Sequence, residues 1–245
     1  MIAVVTPTRN RTQAIRLLAR WLRQQTVQPD IWIVVDDGEE GIVFEEPMTY
    51  LIKRVRGSNE PAHSLCLNLR QALPYMVADK ILICEDDEYY APTYIEEMAR
   101  RLDLSPAVGI GYSKYYNLKL KSAFTHGNML HASLAQTSFR RELIGEFIRS
   151  MADPKDNFID IKFWKAIRGR GLIWRDGDHY DGAAGAQYVG MKGMPGFPGI
   201  GFGHKSMPQY ARDLSLECLR RWIRPEDVEA YVKIGQEQLW VKSGH

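Results

Sequence analysis

Four carboxylates stand in a row at Glu85, Asp86, Asp87 and Glu88, directly behind the apolar run at 81–84. Adjacent carboxylates repel one another at neutral pH, so the arrangement is easiest to explain if a cation, or a ligand carrying one, shares the site. Two other clusters offer matching chemistry. Thr6, Pro7, Thr8, Arg9 and Arg11 bring groups suited to hydrogen-bonding a base and pairing with a diphosphate. Asp36 and Asp37 offer carboxylates to a ribose or a base edge, and the oxygen ligands of Glu85, Asp86 and Asp87 suit a divalent ion such as Mn2+ or Mg2+. A nucleotide, a diphosphate and a metal together describe an activated donor. Each cluster has a plainer reading as well: Asp-Gly pairs favour turns, acids complement a helix start, and arginines are common surface charges.

The elements around these clusters decide whether they can meet. Residues 2–5 read as a short strand, 12–25 as a helix with Ile15, Leu18 and Leu22 on one face, and 31–35 as a second strand. Strand, helix, strand over this length is the unit of a parallel sheet. The pattern recurs with strands at 51–55, 81–84 and 108–112 and helices at 62–73, ended by Pro74, and 94–102. An α/β fold with a mostly parallel sheet flanked by helices follows. In open α/β sheets ligands bind beyond the carboxyl ends of the strands, where all three polar clusters fall.

The second half alternates less regularly. Residues 114–124 read as an extended, exposed segment, 140–149 and 159–167 as helices, and 171–175 as a strand followed by a polar loop at 176–181. Asp176, Asp178, His179 and Asp181 there suit solvated turn chemistry better than a second metal site. The Gly- and Pro-rich stretch 190–205 reads as a functional loop with no regular element, and two short helices near 213–222 and 225–236 finish the chain.

Composition excludes several classes. The 245 residues are 45% hydrophobic and 25% charged, as in an ordinary globular protein, and a net charge of +2 permits nucleic acid without indicating it. Three distant cysteines argue against a disulfide framework and fit a reducing cytoplasm. The N-terminal apolar run is too short for a signal peptide, and no segment has the length of a membrane span. Neither a GxGxxG fingerprint nor a GxxxxGK[ST] loop follows the first strand, which weakens dehydrogenase and P-loop readings.

The stretches AVVTPTRNR at 3–11, VVDDG at 34–38 and ICEDDEYYAP at 83–92 resemble those of the GT-A fold glycosyltransferases, in particular the family-2-like enzymes that use nucleotide sugars. The resemblance covers about the first 110 residues and fades afterwards. It implies a single GT-A domain over 1–245: a nucleotide-sugar-binding half at 1–112, an acceptor-side half at 113–205, and C-terminal helices. Glu85, Asp86 and Asp87 occupy the place of the family's DxD motif, with Glu where the first Asp stands. By analogy Asp87 is the direct metal ligand, Glu85 faces the nucleotide, and His204 supplies another ligand. Residues 132–144 are similar to the segment that closes over the acceptor side. DNFIDIKFW at 156–164 sits where such enzymes place an acidic base, leaving Asp156 and Asp160 both as candidates for the general base, with Asp160 preferred. His63, His126, His131 and His245 receive no role.

The implied reaction moves a sugar from a nucleotide-sugar donor, UDP-linked by expectation, to an acceptor hydroxyl. Two basic, aromatic stretches at 113–124 and 162–175 allow DNA as acceptor, since interleaved aromatics and cations can stack bases and track phosphates, while helix and strand core positions explain Phe163, Trp164 and Trp174 just as readily. The resemblance extends to the small phage-type enzymes that glycosylate hydroxymethylated pyrimidines. Rival readings are a glycosyltransferase of polysaccharide or glycolipid synthesis, a sugar-nucleotide nucleotidyltransferase, and a non-catalytic nucleic-acid binder. The glycolipid reading favours a basic amphipathic helix, which Arg220, Arg221, Trp222 and Arg224 offer only faintly.

Overall fold

The computed structural model describes residues 1–42, 46, 49–177, 186–195, 204 and 209–242. Strand β1 (Ile2–Thr8) is followed by helix α1 (Thr12–Arg23), β2 (Ile31–Asp36), β3 (Thr49–Lys53), α2 (Leu65–Ala72) and β4 (Lys80–Ile83). A two-residue strand β5 (Tyr89–Tyr90), α3 (Tyr94–Leu102), β6 (Ala107–Ile110), β7 (Tyr112–Asn117) and β8 (Ser122–Gly127) come next. Then follow β9 (Thr137–Arg140), α4 (Ile144–Ser150), α5 (Ile159–Ala166), β10 (Gly171–Trp174), β11 (Tyr188–Lys192), β12 (Ala211–Arg212), α6 (Glu217–Trp222) and α7 (Pro225–Lys242).

Side-chain alternation along β1 explains the layers. Ala3 and Val5 face a core built with Cys66, Leu69, Phe139, Phe147 and Phe163, so α2, α4 and α5 cover that side of the sheet. Val4 points to the opposite side, where Ile15, Leu18 and Leu22 of α1 and Ile95, Met98 and Leu102 of α3 pack. Burying one such aliphatic side chain stabilises the fold by about 1.5–3 kcal/mol. The described strands form a seven-stranded sheet in the order β10-β6-β9-β4-β1-β2-β3. It is parallel except where β9 pairs antiparallel with β4 and β6. The neighbours β2 and β4 both run parallel to β1, so the chain segments after β1, β2 and β4 emerge at the same end.

A second, five-stranded sheet has the order β12-β8-β7-β11-β5. Its core joins α1 to the C-terminal helices: Trp21 donates through Nε1 to the Tyr231 hydroxyl at 3.0 Å and stacks on that ring at 5.8 Å.

Three readings of the second half are corrected here. Residues 114–124 belong to the hairpin β7–β8, with Lys114, Tyr115 and Tyr116 buried rather than exposed. The Lys114 ammonium is compensated by Asp176 at 3.5 Å, a partner 62 residues away that no local pattern reveals. Residues 190–192 lie in β11, not in an irregular loop. Gly190 is there for packing: a Cβ would come 2.4 Å from the Tyr115 ring. The last helix is not short; it runs 18 residues from Pro225, a residue whose fixed φ suits a first helical turn. In addition, residues 137–140, which carry no strand signature of their own, are inserted as β9 between β4 and β6. Asp178, His179, Asp181, His245 and most of 190–205 fall outside the described residues.

Candidate active site

The tip following β4 gathers Asp86, Asp87, Glu88 and Lys192 as buried charged groups. Thr8 Oγ1 donates to Asp86 at 2.5 Å, and Arg11 reaches Asp86 at 2.9 Å and Asp87 at 2.7 Å, tying the β1 and β4 tips together. On the other side Glu88 accepts from Lys192 Nζ at 2.5 Å and from the Met191 amide at 2.6 Å, which joins the tip to β11. Two cations, Arg11 and Lys192, thus face four carboxyl groups, so full ionisation of the tip would leave two negative charges unmatched. Burial, reinforced by Asp87 and Glu88, pushes the Glu85 carboxyl up to about 8. Burial also raises Asp87, but Arg11 and Lys192 outweigh it and hold that carboxyl below the ordinary range.

One ligand oxygen each from Glu85, Asp87 and Glu88 lies within 4.8 Å of the others. Hard oxygen donors at such spacing fit Mg2+ or Mn2+, and a divalent charge there would favour the ionised form of the Glu85 carboxyl. Glu88 is the acidic member that reading the DxD-like triplet alone passes over, and the fourth carboxylate in the row was its only local signal. His204 lines the same cavity and acts on Asp87 electrostatically, but it stands outside this carboxylate triad. Burial, with Lys192 nearby, lowers His204 to about 4, so at neutral pH its imidazole is uncharged, the form that binds metal.

A cavity of about 390 Å3 opens over this tip and is lined by Pro7, Thr8, Arg9, Arg11, Glu85, Asp86 and Asp87. Thr6 is buried beneath it, accepting from Trp32 Nε1 at 2.9 Å. Arg9 turns back along the rim to donate to the Ala62 carbonyl at 2.7 Å. Asp36 and Asp37 do not line the cavity; both serve the loops around it. Asp36 accepts from the amides of Gly38 at 2.7 Å and Ile42 at 3.1 Å and pairs with Lys53. Gly38 is required by close approach, since a Cβ would fall 2.8 Å from the Asn10 backbone nitrogen.

Asp37 pairs with Arg54 at 2.8 Å and Arg56 at 2.9 Å and accepts from Asn68 at 2.9 Å. Asn68 lines the cavity and also donates to the Thr8 carbonyl at 3.3 Å, so Asp37 braces the β1 tip from behind. Burial raises the Asp37 carboxyl, but hydrogen bonds from Ser64, Asn68 and Arg56 win and lower it. Its stabilising contribution is therefore complete at neutral pH and is lost as pH falls below the unfolded value of 3.8 and through the lower folded one. Asp37→Asn is expected to lower unfolding free energy at pH 7 by about 2–3 kcal/mol in denaturant titrations, with the gap to wild type closing in acid.

The two base candidates separate by position. Asp160, at the start of α5, lines the cavity, and burial raises its carboxyl above the ordinary range against the pull of His131. Asp156 lies off the cavity and is ion-paired with Lys162, which lowers it, while accepting from the Phe158 amide at 2.8 Å. His63, His126 and His131, assigned no role from sequence, all line the cavity. Nothing near them in the chain marks them out; the segment before α2 brings in His63, β8 brings in His126 and the 128–131 turn His131.

Residues 3–173 match the family model described as Glycosyl transferase family 2. The chain is 28% identical over 112 residues to the uncharacterized glycosyltransferase YwdF of Bacillus subtilis (strain 168), covering 44% of this chain and 40% of that one. Among solved structures it is similar to S. aureus TarS 1–349 in complex with UDP, at a TM-score of 0.54 and 17% identity over 78% of this chain and 60% of that one. The same TarS region in complex with UDP-GlcNAc gives 0.54 and 16%, over 79% and 59%. The matched region is thus between two fifths and three fifths of these relatives' length. At such identity the structural likeness establishes the fold, that of the GT-A glycosyltransferases.

Proposed function

From the premise that the chain belongs to glycosyl transferase family 2, we propose that it transfers a sugar from a UDP-linked donor to an acceptor hydroxyl with the help of a divalent cation. The observation that carries the reading is the gathering of four carboxyl groups at the β4 tip, three of them offering oxygens within 4.8 Å of one another, inside a cavity large enough for a ligand and walled by Arg11 and Lys192. The UDP complexes of TarS support the choice of nucleotide.

Glu85, Asp87 and Glu88, with His204 alongside, are the residues to hold the ion. When bound, it would supply a Lewis-acidic counter-charge to the departing nucleoside diphosphate. Arg11, itself fixed by Asp86 and Asp87, places a permanent positive charge at the same wall, prepaid in the folded state rather than recruited during reaction. The brace from Asp37 through Asn68 keeps the β1 tip, and with it Thr8 and Arg11, in place. Asp160 takes the proton from the acceptor hydroxyl: it lies in the cavity, and its raised carboxyl is a stronger base than an ordinary aspartate. Asp156, neutralised by Lys162, is the poorer candidate.

The two basic, aromatic stretches lend DNA little support as the acceptor: Lys114 and Tyr116 are interior, Phe163 and Trp164 belong to the core, and Arg101 covers Trp174 at 3.7 Å.

Incubating the protein with Mn2+ and a panel of UDP-sugars tests the proposal. UDP release that stops on adding EDTA and returns with excess Mn2+ is expected; equal release with chelator, or none with any donor, would count against it.

A further inference from the structure

We infer that the mouth of the cavity docks on an anionic lipid surface, so that the acceptor is presented from a membrane rather than taken from free solution. The inference rests on the glycosyltransferase reading for what the docking is for, but not for the docking itself. Exposed apolar side chains gather at the mouth from two directions. The 128–131 turn carries Met129, 57% exposed, and Leu130, 88% exposed, between Asn128 and His131, which line the cavity. Phe158, 59% exposed, and Ile161, 43% exposed, at the start of α5, line the same cavity themselves. Four large apolar side chains left in water around one opening are costly unless something apolar meets them.

Charge says what kind of surface that is. Phe158, Ile161, Lys162, Lys165 and Arg168 succeed one another at spacings of three, one, three and three, so α5 and the residues after it present an exposed stripe, apolar at the mouth and cationic beyond. Residues 146–170 hold six Lys and Arg; Glu146 pairs with Arg149 and Arg170 and Asp156 with Lys162, which leaves Lys155, Lys165 and Arg168 as the cations this face offers a partner. Apolar side chains rimmed by cations match the interface of an anionic bilayer, where the former enter the acyl boundary and the latter meet headgroups. A nucleic acid would take the cations but leave Met129 and Leu130 without a partner. No helix among the described residues is long and apolar enough to cross a membrane, so the contact is peripheral.

Sedimentation with vesicles of phosphatidylcholine alone, or with phosphatidylglycerol added, tests this on the full chain, with UDP binding in Mn2+ measured on the same samples. Binding to the anionic vesicles alone is expected. It should weaken at least about tenfold in Lys165→Glu/Arg168→Glu, and clearly in Met129→Ser/Leu130→Ser, with UDP affinity unchanged in both. Absence of vesicle binding, binding indifferent to either pair, or preferential binding to duplex DNA that Met129→Ser/Leu130→Ser leaves intact would overturn it. Loss of UDP binding with vesicle binding preserved would instead fault the glycosyltransferase reading.

Discussion

Asp87→Ala is expected to lower kcat/KM for the sugar donor by at least about 10³-fold, because a metal's charge stabilisation of a leaving group is worth several kcal/mol and each 1.4 kcal/mol is a factor of ten. The protein should remain folded. Asp87 shares Arg11 with Asp86, so removing it leaves the guanidinium paired and the β1–β4 link intact. The check is steady-state kinetics in saturating Mn2+ beside a thermal melt of both proteins. Equal activity in a folded variant would remove Asp87 from the chemistry. Asp86→Ala should behave differently: it takes away the acceptor of Thr8 and Arg11 and is expected to loosen the tip, raising KM along with lowering kcat.

Asp160→Asn is expected to lower kcat by about 10²–10⁴-fold with little change in donor KM, the loss attached to a single general base. Its pH behaviour is diagnostic. A base works only when unprotonated, and burial lifts this carboxyl above the ordinary 3.8, so wild-type kcat/KM should fall on the acid side of that raised value. That limb should vanish in Asp160→Asn. Asp156→Asn should leave kcat within a few-fold of wild type and keep the limb, because Asp156 sits off the cavity against Lys162. If instead Asp156→Asn abolishes turnover and Asp160→Asn does not, the two roles are exchanged.

Much of the first half of the chain was legible because its signals are local. The strands around 2–5, 31–35 and 81–84 are short β-branched runs ending in polar clusters, and a parallel sheet sends such ends to one side. The observed β1 and β2 extend those readings by three residues and one, β4 lies one residue earlier than read, and the helix at 94–102 matches α3 in both bounds. What was not legible depends on distant partners. Lys114 reads as an exposed cation until Asp176 is placed against it, and Lys192 until Glu88 is. The strand β9 owes its existence to the gap between β4 and β6 rather than to its own sequence, T-S-F-R. Asp36 and Asp37 were recognisable as an acidic cluster at a strand end. That they turn towards Lys53 and towards Arg54 and Arg56, bracing the cavity without lining it, depends on the neighbouring strand β3 and the residues that follow it.

The most direct measurement is a calorimetric titration of UDP into the protein with Mn2+ and again with EDTA, repeated on Asp87→Ala. The expected result is an affinity at least about tenfold higher with Mn2+ in the wild type and no such gain in the variant. Equal UDP affinity with ion and with chelator in the wild type, or the full Mn2+ gain retained without Asp87, would contradict the assignment of the β4 tip as the seat of the cation and the diphosphate.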